Sequence, residues 1–124
     1  MFNENKPIFL QIKEKIEEQI VIGQLKEHDQ IPSTTQMVHF YKINHITALK
    51  GINLLVDEGI LYKKRGMGMF VAEGAKEKLL KNSREVFADN YVLPMLKEAN
   101  KLGLSDSDLA GIIKKIKEDS FDES

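Results

Sequence analysis

The chain has 124 residues, a formal net charge of −1 and no cysteine. That length bounds it to one domain, or one domain with an appendage, and the missing thiols exclude a disulfide scaffold and a thiolate zinc site and point to a reducing compartment. Its start carries no apolar run of signal-peptide length and no stretch approaches the ~20 apolar residues of a membrane span, so the expected location is the cytoplasm, with no membrane partner.

Isoleucines at 8, 12, 16 and 20 recur every four residues with Glu and Lys between them. That spacing predicts an amphipathic helix of about four turns. Pro7 suits its first turn and Gly23 its end. The loop LKEHDQ follows. In IPSTTQMVHF, Ser33 can cap a second helix and Gln36, three residues on, can complete a capping box. This helix is short, because Tyr41, Lys42 and Ile43 lead into Asn44, a new cap candidate. From His45 to Glu58, Ala48, Ile52, Leu55 and Val56 fall at helical spacing, and Gly59 suits the end of a third helix. After Gly59 the period changes, and ILYKK and MFVA read as two strands joined by RGMG.

Residues 1–72 therefore read as three helices and a hairpin, the pattern of a winged helix-turn-helix. Residues 73–124 read as a helical appendage. Ala75, Leu79, Val86, Phe87 and Tyr91 line one apolar face of a long helix, and Pro94 should kink or restart it. Met95, Leu96, Ala99 and Leu102 continue the stripe to Gly103. Ser105 with Asp108 opens a last helix carrying Leu109, Ile112, Ile113 and Ile116, and the tail DSFDES is expected to fray. The fold class is thus mainly α with a small β-hairpin. An appendage this short does not easily form a core of its own. Packing on the first 72 residues is one outlet for its apolar faces, and packing on a second copy of the chain is the preferred one. The dimerisation residues would be Leu79, Phe87, Tyr91, Leu96, Ile112, Ile113 and Ile116.

Net charge alone does not suggest a polyanion partner, but its distribution does. Residues 30–72 hold Lys42, Lys50, Lys63, Lys64 and Arg65 against Asp57 and Glu58 only. Such a local cationic face attracts a polyanion within about one Debye length, whatever the total charge. The stretch YKKRGMGMFV concentrates this feature: three consecutive cations at the mouth of a glycine-bearing turn. A solvated charge cluster is the bland reading, and a hairpin that touches phosphate is the sharper one, favoured by the helices upstream.

The same residues carry a resemblance. PIFLQI, IPS and NHITALKGINLLVDEGILYKKRGMGMFV resemble the GntR family of bacterial transcription factors between Pro7 and Val71, and the short helical C-terminus looks like its YtrA-like subfamily. The resemblance implies a homodimeric repressor, dimerised through the appendage, acting on its own operon and on transporter genes. The chain departs from the family pattern at Thr35, His45 and Leu49, where arginine is common, which leaves Lys50 as the fixed cation of the reading helix and implies a different operator.

In a helix-turn-helix the second helix lies in the major groove and reads it with its N-terminal residues. Those are Asn44, His45, Ile46, Thr47 and Lys50. Thr47 can meet a phosphate, a base or a thymine methyl, and Lys50 a guanine or a phosphate. Ser33, Thr34 and Thr35 open the preceding helix, whose N–H groups favour an anion; plain capping is the alternative for Ser33 and Asn44, and the two roles can coexist. Lys63, Lys64 and Arg65 would flank a groove, with Arg65 directed at a narrow minor groove. Gly66 would let the turn approach the sugar-phosphate chain, and Gly68 would supply a positive φ. Phe70 and Val71 would anchor the wing in the core. Double-stranded DNA is the expected partner. A small-molecule effector acting where the two parts join is compatible with this plan, and the sequence names none. His28, His39 and His45 lack metal-ligand spacing, no phosphate-binding glycine loop precedes a helix, and no catalytic set has a supporting motif. No cofactor, metal or enzymatic activity is expected. The competing function is a winged-helix protein-interaction module without a DNA target.

Overall fold

The computed structural model describes Phe2 and residues 4–121. Helix α1 (Ile8–Val21) starts behind Pro7, whose φ of −54° is already set for a helix, and ends before Gly23 at φ +88°. Its buried residues are Ile12, Ile16 and Ile20, the four-residue stripe. Helix α2 (Thr34–Tyr41) opens on Ser33 and stops at Lys42, which takes the left-handed conformation at φ 59°. Helix α3 (His45–Asp57) opens on Asn44, and Gly59 follows it at φ +77°. Gly51 lies where α3 meets α1. A Cβ there would stand 2.8 Å from the Phe9 carbonyl oxygen, so a residue without one lets the two helix backbones close up.

Strands β1 (Leu61–Lys64) and β2 (Gly68–Val71) pair antiparallel, with Leu61 opposite Val71 and Lys64 opposite Gly68. The connection is the three-residue loop Arg65-Gly66-Met67, one residue shorter than the expected RGMG, because Gly68 belongs to the ladder. A larger difference lies upstream. Part of the expected loop LKEHDQ runs along β2: the Ile31 N–H donates to the Met69 carbonyl (3.0 Å), the Val71 N–H to the Asp29 carbonyl (2.9 Å) and the His28 N–H to the Val71 carbonyl (2.8 Å). Gln30 bridges Phe70. The wing therefore has a third, strand-like member on its far side.

The chain divides into two units, residues 1–82 and 83–124. The division falls inside helix α4 (Ala75–Phe87), later than the expected boundary at 72, because Ala75 and Leu79 join the core formed by α1, α2, α3 and the sheet. That core includes Ile12, Ile52, Leu55, Ile60 and Val71, each no more than 1% exposed. Leu79 is accordingly a core residue, 6% exposed, and not part of a free face as expected.

In the second unit, α4 runs on through a π-helical turn (Ala88–Val92) into α5 (Leu93–Lys101). The π turn stands directly before Pro94, which lies in the first turn of α5. Its wider hydrogen-bond pattern accommodates a residue without an N–H, so the helix passes through a π turn where Pro94 was expected to kink or restart it. Gly103 at φ +74° ends α5. Helix α6 (Asp106–Phe121) opens on a reciprocal pair: the Ser105 N–H donates to Asp108 Oδ2 (2.9 Å), and the Asp108 N–H to Ser105 Oγ (3.1 Å). Asp119, Ser120 and Phe121 belong to α6, so the first half of the expected frayed tail is helical; residues 122–124 lie outside the described residues. No described helix is long and apolar enough to cross a membrane.

Candidate nucleic-acid interface

Three local devices shape the candidate interface. At the start of α2, the Gln36 N–H donates to Ser33 Oγ (3.1 Å) and the Ser33 N–H donates to Gln36 Oε1 (2.8 Å). The expected capping box is complete, so the polar groups of Ser33 already have partners. The first-turn N–H groups of Thr34 and Thr35 find no acceptor within their own helix, and they lie at its positive end. Thr34 is half-buried and Thr35 exposed. Thr35 also borders an apolar cavity of about 770 Å³ between α1 and α2, lined by Ile16, Met37, Phe40 and Tyr41.

At the start of α3, the Thr47 N–H donates to Asn44 Oδ1 (2.7 Å). The left-handed Lys42 turns the chain tightly between the helices, and the cap holds the first turn of α3 open. Asn44, His45, Ile46 and Lys50 are exposed, while Ala48, Ile52 and Leu55 are buried on the opposite face. Thr47 is half-buried. Leu49, at a common arginine position of the family pattern, is exposed. The Lys50 ammonium sits 4.0 Å from the centroid of the Phe9 ring on α1, in cation–π contact.

The wing is the third device. Lys63, Lys64 and Arg65 are all exposed, and none has a carboxylate partner among the described residues. Lys64 lies over the Phe70 ring, 5.0 Å from its centroid, and Tyr62 stacks on the same ring at 5.8 Å. Val71 joins the core, as an anchor should, whereas Phe70 is buried outside that core, against Tyr62 and Lys64. Gly66 has φ +79° and open space around it. Gly68 has φ +122°, and a Cβ there would stand 2.8 Å from Gln30 Nε2. That amide donates to the Met67 carbonyl at 2.6 Å. Gln30 thus ties the wing tip to the loop before α2. Reasoning on the sequence missed Gln30, since nothing local pairs residues 30 and 67. It also missed Phe9, and Met67, 61% exposed at the tip. His28 meets the Tyr62 hydroxyl at 2.8 Å, packed against its ring. Among the described residues no group of His and carboxylates could hold a metal.

The second unit holds the remaining expected residues. Phe87, Tyr91, Leu96, Ile112, Ile113 and Ile116 are all exposed, by 42 to 68%. The Phe87 and Tyr91 rings lie 5.9 Å apart. Among residues 83–120, Ala99 is the one buried apolar residue.

With this geometry in place, comparison with known proteins is informative. Residues 9–71 match the family described as bacterial regulatory proteins, gntR family. The chain is 31% identical over 113 residues to the uncharacterized HTH-type transcriptional regulator YhcF of Bacillus subtilis, covering 91% of this chain and 92% of that protein. It is 29% identical over 106 residues to the HTH-type transcriptional repressor YtrA of the same organism, covering 86% and 75%. The histidine utilization repressor of Klebsiella aerogenes is 32% identical over 83 residues, 67% of this chain. The chain spans only 34% of that longer relative. Among solved structures, a GntR family transcriptional regulator from Listeria monocytogenes superposes with a TM-score of 0.75 at 26% identity, covering 92% of this chain and 98% of that one. The DNA-binding domain of AraR in complex with operator ORX1 superposes with a TM-score of 0.55 at 30% identity, covering 58% of this chain and 93% of that domain.

Proposed function

The chain belongs to the gntR family of bacterial regulatory proteins, DNA-binding transcriptional regulators rather than enzymes, and on that premise we propose that it is a homodimeric, sequence-specific repressor of cytoplasmic location. One observation carries the reading: the first turn of α3 is capped, exposed and backed by a buried face, and the same unit bears a cationic wing with no internal counter-charge. The first turn of α3 would enter the major groove, the first turn of α2 would meet phosphate, and Lys63, Lys64 and Arg65 would follow the neighbouring backbone. The operator complex of the AraR domain supports this assignment by likeness of fold and sequence.

The second copy rests on the second unit. Phe87, Tyr91, Leu96, Ile112, Ile113 and Ile116 are each 42 to 68% exposed, and the Phe87 and Tyr91 rings lie together. Covering them on another chain would join two reading heads, as a palindromic operator requires. Replacing Ile113 and Ile116 together by Asp should turn a dimer into a monomer in sedimentation, weakening self-association about 100-fold or more.

The functional test is binding of the whole chain to the DNA upstream of its own gene, against a scrambled duplex, across a salt series. A preference that survives at physiological salt supports an autoregulated operator. Equal binding that fades steeply with salt would mean phosphate contact alone. That outcome would favour the second reading, a protein-interaction module, which the net charge of −1 and the single lysine of α3 make worth testing.

A further inference from the structure

The exposed face of α3 carries two aliphatic side chains where polar readers are expected. Ile46 is 77% exposed and Leu49 36% exposed, three residues apart on one side of the helix. Single exposed apolar residues are common and mean nothing by themselves. These two stand on the first turns of the helix that a helix-turn-helix lays in the major groove. Base edges there offer donors and acceptors to polar side chains, and one apolar group, the thymine C5-methyl. An aliphatic side chain facing a guanine or cytosine edge would strip water from polar atoms and return no hydrogen bond. Facing a thymine it covers a methyl group. The one lysine of α3 does not compete for this surface. Its ammonium rests 4.0 Å from the Phe9 centroid, drawn off the α3 face toward α1.

We propose that Ile46 and Leu49 read thymine methyl groups, and that Lys50, held by Phe9 as a positioning residue, serves a backbone phosphate. The operator half-site then carries A·T pairs where α3 meets it. The inference rests on α3 being the reading helix. Lys63, Lys64 and Arg65, which have no carboxylate partner among the described residues, argue for DNA as the occupant, since an apolar protein partner has no use for them.

The test begins with the full chain and a pool of duplexes randomised over roughly 20 base pairs, enough for two half-sites. The enriched duplex is remade with deoxyuridine replacing thymine one position at a time, which removes the methyl and keeps every hydrogen bond. Affinity should fall about 3- to 5-fold at one or two positions per half-site, the loss expected for one buried methyl. Ile46→Ala, an exposed change that leaves thermal unfolding in place, should abolish the preference for thymine over deoxyuridine at its position. Lys50→Ala should keep that preference and lower the salt slope of log affinity by about one. Phe9→Leu should lower the slope in the same direction, and Phe9→Tyr should restore it. Deoxyuridine without effect at every position would overturn the methyl reading, as would an Ile46→Ala protein that still prefers thymine. An unchanged slope in Phe9→Leu would overturn the positioning role. A pool that yields no enriched sequence would remove the premise itself, a result distinct from an enriched operator indifferent to methyl groups.

Discussion

Ile12, Ile16 and Ile20 in the first unit are at most 4% exposed, whereas Ile112, Ile113 and Ile116 in the second are 42 to 52% exposed. Both sets sit on helices at near-helical spacing, among lysines and acids. The first set has α3 and the sheet to pack on, and the second has no such cover among the described residues. Periodicity therefore tells which side of a helix is apolar and says nothing of what lies against it. The first unit answers that question within one chain, and the second leaves it to another chain, as proposed above.

The largest test of this contrast is truncation on both sides. Leu55→Ala, at a fully buried position of α3, should cost roughly 2–5 kcal/mol of the first unit's unfolding free energy, because the lost contacts leave a cavity. Ile113→Ala, measured by denaturant titration at concentrations low enough to dissociate any dimer, should change stability by less than about 0.5 kcal/mol. At higher concentration the same variant should lose stability, since association stabilises the folded state by mass action. Equal costs at both sites in dilute solution would mean that Ile113 is buried within a single chain.

A sharper test probes how tightly the first unit is closed. Gly51→Ala places a Cβ 2.8 Å from the Phe9 carbonyl oxygen, a backbone atom that can yield only by moving α1. Overpacking of this kind costs about 1–3 kcal/mol, against which alanine returns up to about 1 kcal/mol of helix propensity. The net should be a loss, read as a lower unfolding midpoint. Gly111→Ala is the matched control, since Gly111 lies inside α6 with nothing within 4 Å of its added Cβ. There the propensity gain stands alone and the second unit should become more helical. A stabilised Gly51→Ala protein would show that the α1–α3 crossing has slack.

What the sequence disclosed follows the range of each interaction. The Ser33–Gln36 and Ser105–Asp108 boxes and the Asn44 cap act over three residues, and all were readable from spacing alone. The isoleucine stripe of α1 was equally plain. Gln30 could not be found this way, because its partner is the carbonyl of Met67 and the pairing exists only once the wing has folded back. The strand-like run at residues 28–31 shows no alternation, since one bridge needs none. Leu79 looked like part of a free stripe because the sequence does not say how far the first core reaches along α4. The Phe9–Lys50 contact joins two helices whose crossing depends on Gly51, and so was invisible beforehand.

The caps give a smaller effect that separates structure from recognition. Ser33→Ala removes the Oγ acceptor of the Gln36 N–H and should cost about 1 kcal/mol of the first unit's stability. Ser33→Asp keeps an acceptor and should preserve stability, while its charge should repel a phosphate at the start of α2. If operator affinity falls several-fold in the aspartate variant at unchanged stability, the first turn of α2 meets the backbone; if affinity is unchanged, capping is its whole role.

The smallest effects are electrostatic, and the two units should answer pH in opposite directions. In the first, Lys13 binds Glu17 (2.8 Å) and Glu58 (3.3 Å), tying α1 to the end of α3. Partial burial alone would lower its pKa, but the hydrogen bonds and charges of Glu17 and Glu58 outweigh it and hold the pKa above the ordinary lysine value. The folded protein thus keeps this proton more tightly than the unfolded chain. The resulting stability is complete below the ordinary lysine range and is lost as pH rises through the raised value. It should amount to less than about 1 kcal/mol, read as the difference between the wild-type and Lys13→Met stability curves in alkaline solution. In the second unit, the Ser105 backbone N–H, then its hydroxyl, lowers the pKa of Asp108. That contribution is present above the ordinary carboxylate range and is lost as pH falls through the lowered value. Hydrogen exchange at the Ser105 amide should therefore accelerate on acidification beyond the intrinsic rate change, and in Asp108→Asn that extra acceleration should vanish. A Lys13 contribution that persists above the raised lysine value, or an alkali-sensitive α6 start, would contradict the assigned partners.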